Sequence, residues 1–274
     1  MPRTTAEKRA AFRAMHETGC FTLPNPWDAG SARYLASLGF QAIATTSSGY
    51  AWSTGRADNQ VSRDDILAHL RAMVEATDLP VNADFESGFG DDPAAVAESV
   101  KLAVATGVAG LSIEDATGDA AAPLLPVETA VARLAAARRA IDESGGDTVL
   151  VGRAENFFVG VPDLNDTLAR LQAYAAAGAD CLYAPGIRTR EEIAAVVAAV
   201  APKPVNVLIG GNPALTLQEL AALGVRRVSV GGALARAAWG SFMRAAQALS
   251  EGRFDGFAGA ASGPDLNALF AGAA

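Results

Sequence analysis

Six charged residues fall in three short groups, each at the end of an apolar run: Asp84 and Glu86 in VNADFESGFG, Glu114 and Asp115 in GLSIED, Arg153 and Glu155 in VLVGRAEN. Gathering that many carboxylates in one place is costly unless a cation compensates them. Oxygen donors with no histidine nearby suit Mg2+ or Mn2+ better than zinc. The arginine offers a charged fork to an anionic ligand. The chemistry expected is metal-assisted work on a small anion, with Asp84, Glu86 and Glu114 as the metal-binding acids and Arg153 facing the ligand.

Such a site needs the three runs to be neighbouring parallel strands with their C-terminal ends side by side. Alternation then puts Asn82, Asp84 and Glu86 on one face, Ser112 with Glu114, and Arg153 with Glu155. The apolar neighbours Val81, Ala83, Leu111, Ile113, Val149 and Val151 are expected to face covering helices. Eight strand-like stretches occur near 20–24, 42–46, 81–84, 110–114, 148–153, 181–184, 205–208 and 227–230, each followed by a helical pattern. Glycines in LGFQAI, TGVAGL, AGADCL and LGVRRV mark helix stops just before strands. Ser62 with Asp65, and Asp92 before Pro93, mark starts. Eight such units predict an α/β fold, a closed (β/α)8 barrel forming a single domain over 1–274. An open doubly wound sheet would carry a glycine-rich turn after its first strand, and Pro24-Asn25-Pro26-Trp27 is not one. A helix over 4–18, capped by Thr4 with Glu7, is expected to close the lower end. Residues 252–274 read as a C-terminal extension whose helix, near 265–270, either frays or contacts another subunit.

The net charge of −8 and the lack of a basic tract argue against nucleic acid and anionic lipid as partners. No apolar run approaches the length of a membrane span, and the expected location is the cytoplasm. Two distant cysteines, Cys20 and Cys181, make neither a disulfide framework nor a zinc cluster. The turn Thr45-Thr46-Ser47-Ser48-Gly49-Tyr50 offers hydroxyls and backbone donors to a carboxylate or phosphonate, and Gly88-Phe89-Gly90 allows a tight turn beside the acids. Residues 115–126 form a long loop of the kind that often acts as an active-site lid, but without histidine, cysteine or lysine it brings no proton donor. His16 and His69 fall in helices away from the rim, so a Ser-His-Asp or Cys-His mechanism finds no support.

VNADFESGFG, GLSIED and VGRAENF, in this order on successive βα units, resemble the isocitrate lyase/phosphoenolpyruvate mutase superfamily over roughly residues 20–250. The resemblance implies a (β/α)8 barrel, Mg2+, and C–C or P–C chemistry beside a 2-oxo acid or its enolate. It further implies a tetramer in which the C-terminal helix is exchanged between subunits. By position Asp84 resembles the direct metal ligand, and Glu86 stands where many members have an aspartate. Glu114 resembles the acid that holds metal-bound water, and Arg153 the substrate-binding arginine. Ser47, Ser48 and Gly49 resemble the anion-receiving turn, and Asp58 an aspartate on a neighbouring mobile segment. Residues 115–126 depart from the Lys-Lys/Arg-Cys-Gly-His loop of the lyases. The sixth strand ends Tyr183-Ala184-Pro185 where the mutase has a histidine, and Gly231-Gly232-Ala233 replaces the histidine of the oxaloacetate decarboxylases. The expected activity is a Mg2+-dependent lyase acting on a small 2-oxo acid or dicarboxylate through an enolate. A phosphonopyruvate hydrolase or phosphonomutase, or a non-catalytic 2-oxo acid binding protein, are the alternatives. Tyr50 or metal-bound water is expected to supply the proton, and Asn206 to bind substrate or to act structurally.

Overall fold

In the computed structural model, which describes residues 2–211 and 215–271, helix α1 (Thr5–Met15) precedes a regular alternation of strands and helices. The first half runs β1 (Phe21–Leu23), α2 (Ala29–Ser37), β2 (Ile43–Ala44), α3 (Ser47–Ser53), α4 (Arg63–Ala76), β3 (Val81–Asp84), α5 (Pro93–Ala105), β4 (Gly110–Glu114) and α6 (Val127–Glu143). The second half runs β5 (Val149–Arg153), α7 (Leu164–Ala176), β6 (Cys181–Tyr183), α8 (Arg190–Val200), β7 (Val205–Leu208), α9 (Leu217–Ala222), β8 (Arg227–Ser229), α10 (Ala233–Ser250) and α11 (Gly263–Ala271). All strand pairs are parallel, and β1 pairs with β8. The seam between β1 and β2 is bridged where Ala44 N–H donates to Pro24 O at 3.0 Å. Asn25 staples the same seam: its amide donates to Thr45 O (2.9 Å) and its Oδ1 accepts from Val230 N and Gly231 N, both at 2.9 Å. The fold is the (β/α)8 barrel that the sequence predicts.

Helix starts form where the caps predict. Thr4 and Glu7 make a reciprocal capping box, Ser62 accepts from Asp65 N, and Asp92 accepts from Ala95 N ahead of Pro93. The outer faces of the strands carry Val81, Ala83, Leu111, Ile113, Leu150 and Val207 into one core with the helices. A second, smaller core fills the barrel itself, with Leu23, Ala44, Val149, Val151, Cys181 and Tyr183 around Phe12 from α1. Val149 and Val151 thus correct one expectation. They share the parity of Arg153 and point inward, while Leu150 takes the place facing the helices. Phe12 is wholly buried and plugs the lower end; burying such a side chain contributes about 1.5–3 kcal/mol. Its ring is the reason for Gly110, where a Cβ would lie 2.8 Å from Phe12 Cε1 and 2.7 Å from Asn82 Oδ1.

The segment 115–126 is a small self-bonded hairpin. Ala116 bridges Leu124, Thr117 N donates to Pro123 O at 3.0 Å, and Leu125 N donates to Asp115 O at 2.8 Å. In this conformation none of its residues borders the cavity described below. Helix α11 lies against its own chain, with the Phe270 ring 3.7 Å from where a Cβ on Gly30 would stand. The end of the expected extension, 272–274, falls outside the described residues. Among the described residues no helix is long and apolar enough to cross a membrane.

Candidate active site

Above the Phe12 plug, the C-terminal ends of the strands open into a cavity of about 690 Å³. Asp84 and Arg153 line it from β3 and β5, and Thr45, Thr46, Ser47 and Ser48 from the end of β2 and the start of α3. Tyr183, Asn206, Arg227 and Ser229 close the opposite wall. Asp58, Phe158, Arg188 and Arg236 stand around the mouth.

Arg153 is the centre of the charged group. Its Nη1 lies 3.0 Å from Glu114 Oε2 and 3.3 Å from Asp84 Oδ1, and its Nε bonds Glu155 Oε1. Register explains the first contact, since Glu114 and Arg153 are directly paired in the ladder between β4 and β5. Burial alone would lower the arginine's pKa, but Glu114, Glu155 and Asp84 raise it well above its usual value, so it stays charged. Glu114 and Glu155 are pushed up by burial, which Arg153 opposes. Asp84 is further held by Ser47 N at 3.0 Å, while its own N–H donates to Thr45 Oγ1 at 2.9 Å.

Glu86 is different. It follows the strand in the left-handed region, at φ 47°, where a side chain with a Cβ is uncommon and strained. It is 8 % exposed, yet its Oε1 has no hydrogen-bond partner. Burial, then Asp84 and Asp58, push its pKa up to about 8 against the pull of Arg153. Asp58 is raised too, by loss of water and by Asp84, with Ser47 opposing. One guanidinium therefore faces Asp84, Glu86, Glu114, Glu155 and Asp58, and the Glu86 and Asp58 side is left short of positive charge. Among the described residues no three acidic, histidine or cysteine side chains already stand together as a metal-ligating set. The orphaned, charge-repelled oxygen of Glu86 beside Asp84 nevertheless fits an Mg2+-type ion by donor chemistry.

The remaining expected residues separate. Ser47, Ser48, Asp58, Asp84, Arg153 and Asn206 line the cavity, but Gly49, Tyr50, Glu86 and Glu114 do not. Gly49 is a packing residue: a Cβ there would come within 2.6 Å of Thr46 Cγ2 and 3.1 Å of Trp27 Cβ. Tyr50 stacks on His69, with ring centroids 3.8 Å apart, and its hydroxyl points at Asp65 O. Asn206 is wholly buried, accepting from Arg227 Nε at 2.9 Å and donating to Ser229 Oγ at 2.9 Å. Asp115, adjacent to Glu114 but on the other face of the strand end, accepts from Glu155 N (2.8 Å), Arg170 Nη1 (3.1 Å) and Tyr174 Oη (2.5 Å). It fixes the loop that carries Glu155.

Sequence reasoning passed over Tyr183, Arg227 and Ser229. The signal available was parity: each lies on the inward face of β6 or β8, in register with a residue on a neighbouring strand.

The model of the phosphoenolpyruvate phosphomutase family matches residues 12–250. A candidate lyase/mutase from Burkholderia cenocepacia J2315, known as a crystal structure, is 52% identical, with 97% of each chain covered and a TM-score of 0.94. An oxaloacetate decarboxylase of Rhodopseudomonas palustris is 32% identical over 89% of this chain and 86% of its own. A phosphonopyruvate hydrolase solved with oxalate and Mg2+ is 27% identical, with 97% and 95% of the two chains covered and a TM-score of 0.85. Barrel, strand-end acids, paired arginine and these likenesses agree: the chain is an enzyme of the phosphoenolpyruvate mutase/isocitrate lyase superfamily.

Proposed function

We propose that the protein is a Mg2+-dependent lyase that breaks or makes the C–C bond at C3 of a small 2-oxo acid or dicarboxylate through an enolate. One observation carries this reading: a charged arginine at the cavity wall stands beside Asp84 and Glu114, next to Glu86 and Asp58 carboxylates whose pKa values burial and Asp84 push up. Asp84 and Glu86 would hold the ion directly, and Glu114 through water while it orients Arg153. Bound there, the ion would polarise the 2-oxo group and so favour the enolate. Arg153 binds the carboxylate that the ion leaves free, and its charge is aimed where negative charge develops. Ser47 and Ser48 present hydroxyls to the other end of the substrate. Asp58, at the mouth, adds a carboxylate whose raised pKa reflects the same shortage of positive charge.

The hydroxyl-rich turn at Thr45–Ser48 would receive a phosphonate equally well, so P–C chemistry is the second reading, supported by the likeness to a phosphonopyruvate hydrolase. Assembly as a homotetramer belongs to the same reading. Trp239, Phe242 and Met243 on α10, with Phe254 and Phe257 after it, leave a large apolar surface in water.

Incubation with Mg2+ or Mn2+ and oxaloacetate, 2-methylisocitrate or phosphonopyruvate, with pyruvate as the readout, tests the function. Turnover of a C–C substrate that disappears in Asp84→Ala is expected. Phosphate release from phosphonopyruvate alone would install the second reading, and metal-dependent binding without any product would make the protein a binding relative.

A further inference from the structure

We propose that Tyr183 is the acid that delivers a proton to C3 of the enolate, held ready by an Arg227–Asn206–Ser229 hydrogen-bond chain. The assignment rests on the lyase reading above and supplies its missing proton donor.

Elimination begins the argument. No histidine, cysteine or lysine is among the described residues lining the cavity. Its arginines hold their protons at any working pH, and aliphatic hydroxyls give theirs up reluctantly. Asp84 is engaged by Arg153 and Ser47 N, and Asp58 lies out at the mouth. Tyr183 remains. It is the cavity's one tyrosine among the described residues, is 8 % exposed, and stands on the inward face of β6 directly in register with Arg153 on β5 and Asn206 on β7.

Its surroundings are built in a fixed donor order. Arg227 Nε donates to Asn206 Oδ1 at 2.9 Å, which turns the amide NH2 toward Ser229. Asn206 Nδ2 then donates to Ser229 Oγ at 2.9 Å, so that oxygen is the acceptor there and the Ser229 hydroxyl keeps its own proton to donate, the direction in which Ser229 lowers the Tyr183 pKa. Two cations back the arrangement. The Arg153 guanidinium carbon lies 5.1 Å from the Tyr183 ring centroid. Arg227 is 2 % exposed and has no carboxylate partner among the described residues; its Nη1 meets only Asn82 Oδ1 and His16 Nε2, each at 3.4 Å.

Burial pushes the phenol up to about 12, while Arg153 and Ser229 pull the other way. The group is therefore protonated throughout the neutral range, as an acid must be, and its momentary phenolate is stabilised by the same two neighbours. The electrons balance without a further reagent. The bond from C3 to the departing carbon breaks, that carbon leaving without the pair as CO2 or a carbonyl compound while the pair enters the enolate; the enolate carbon then takes the Tyr183 Oη proton, forming C3–H. The phenolate left behind recovers a proton from water in the open cavity.

Proton transfer can be read without bond cleavage, by exchange of the pyruvate methyl protons in D2O with Mg2+, followed by 1H NMR. Wild type should exchange, and Tyr183→Phe should be at least ~100-fold slower, the lower range for a general acid, with oxalate affinity by calorimetry unchanged. Ser229→Ala should slow exchange ~10-fold, about the worth of one neutral hydrogen bond, at constant oxalate affinity, and Ser229→Thr should restore it. Exchange by Tyr183→Phe at the wild-type rate overturns the assignment while leaving the lyase reading intact. So does a wild type that makes pyruvate without exchanging it, or a Tyr183→Phe protein that loses oxalate binding along with exchange. A wild type silent both in exchange and toward every substrate above removes the lyase reading, and the assignment with it.

Discussion

Replacing Asp115 with asparagine tests whether the site rests on a buried ionic hub. The carboxylate is 1 % exposed and accepts from Arg170 Nη1 at 3.1 Å, Tyr174 Oη at 2.5 Å and Glu155 N at 2.8 Å. An asparagine oxygen could keep the Glu155 bond, but its NH2 would then face a guanidinium that can only donate. Bonds to a charged group contribute ~1.5–3 kcal/mol each. Arg170 retains Asp166 and the Leu125 carbonyl, which limits the damage. The loss expected is about 3–5 kcal/mol, the range for breaking a buried pair, or roughly 10²–10⁴-fold in the unfolding equilibrium. Urea unfolding at pH 7 of wild type, Asp115→Asn, Tyr174→Phe and the double variant gives the comparison. Tyr174→Phe alone should cost about 1–2 kcal/mol, and the double variant should fall short of additivity by about 1 kcal/mol or more. An Asp115→Asn loss of only about 0.5 kcal/mol, the size of an ordinary surface change, would refute the hub.

Acid should weaken the fold through His69. Its imidazole is 7 % exposed, stacks on Tyr50 and leaves Nε2 unbonded, and burial pushes its pKa down to about 4. A folded pKa below the unfolded value of ~6.5 means that the unfolded chain binds the proton first, so stability is complete above that pH and is lost as pH falls toward 4. At pH 5 the loss should be about 2 kcal/mol, so between pH 7.5 and pH 5 the wild-type unfolding free energy from urea titration should fall by about that much more than that of His69→Phe; parallel pH profiles would refute it. On the apolar C-terminal surface, Phe242→Glu with Phe254→Glu should turn a tetramer into smaller species by light scattering, and an unchanged mass, or a monomeric wild type, would count against the proposed assembly.

The barrel was legible because its signals are local. Caps at Thr4, Ser62 and Asp92, and glycines ending helices, depend on a few neighbouring residues, and β3, β4 and β7 fall on the expected residues. Parity also brought Asp84, Glu114 and Arg153 to one wall, through strand register. It was misapplied at Val149 and Val151, which follow Arg153 inward. Beyond the strand, at Glu86, a left-handed residue breaks the alternation that the rule needs, so parity alone does not place that side chain. Tyr50 was out of reach for another reason. A tyrosine in a polar turn reads as functional, and only the packing of α3 against His69 on α4 turns its ring away from the cavity. The self-bonded hairpin at 115–126 was equally hidden, because its order comes from backbone pairs between small residues.

Glu114 and Asp115 show how the barrel separates stability from chemistry over a single residue. Alternation at the end of β4 turns Glu114 inward to Arg153 and Asp115 outward to Arg170 and Tyr174. The outward acid has its hydrogen bonds satisfied, so its burial is compensated. The inward acid shares one guanidinium with Asp84 and Glu155, and burial raises its pKa. The two are coupled through the backbone, because Asp115 accepts from Glu155 N and Glu155 in turn bonds Arg153. The outer network thus fixes where the arginine sits, while the inner one stays short of positive charge, which a stability argument alone would not favour and an incoming cation would relieve.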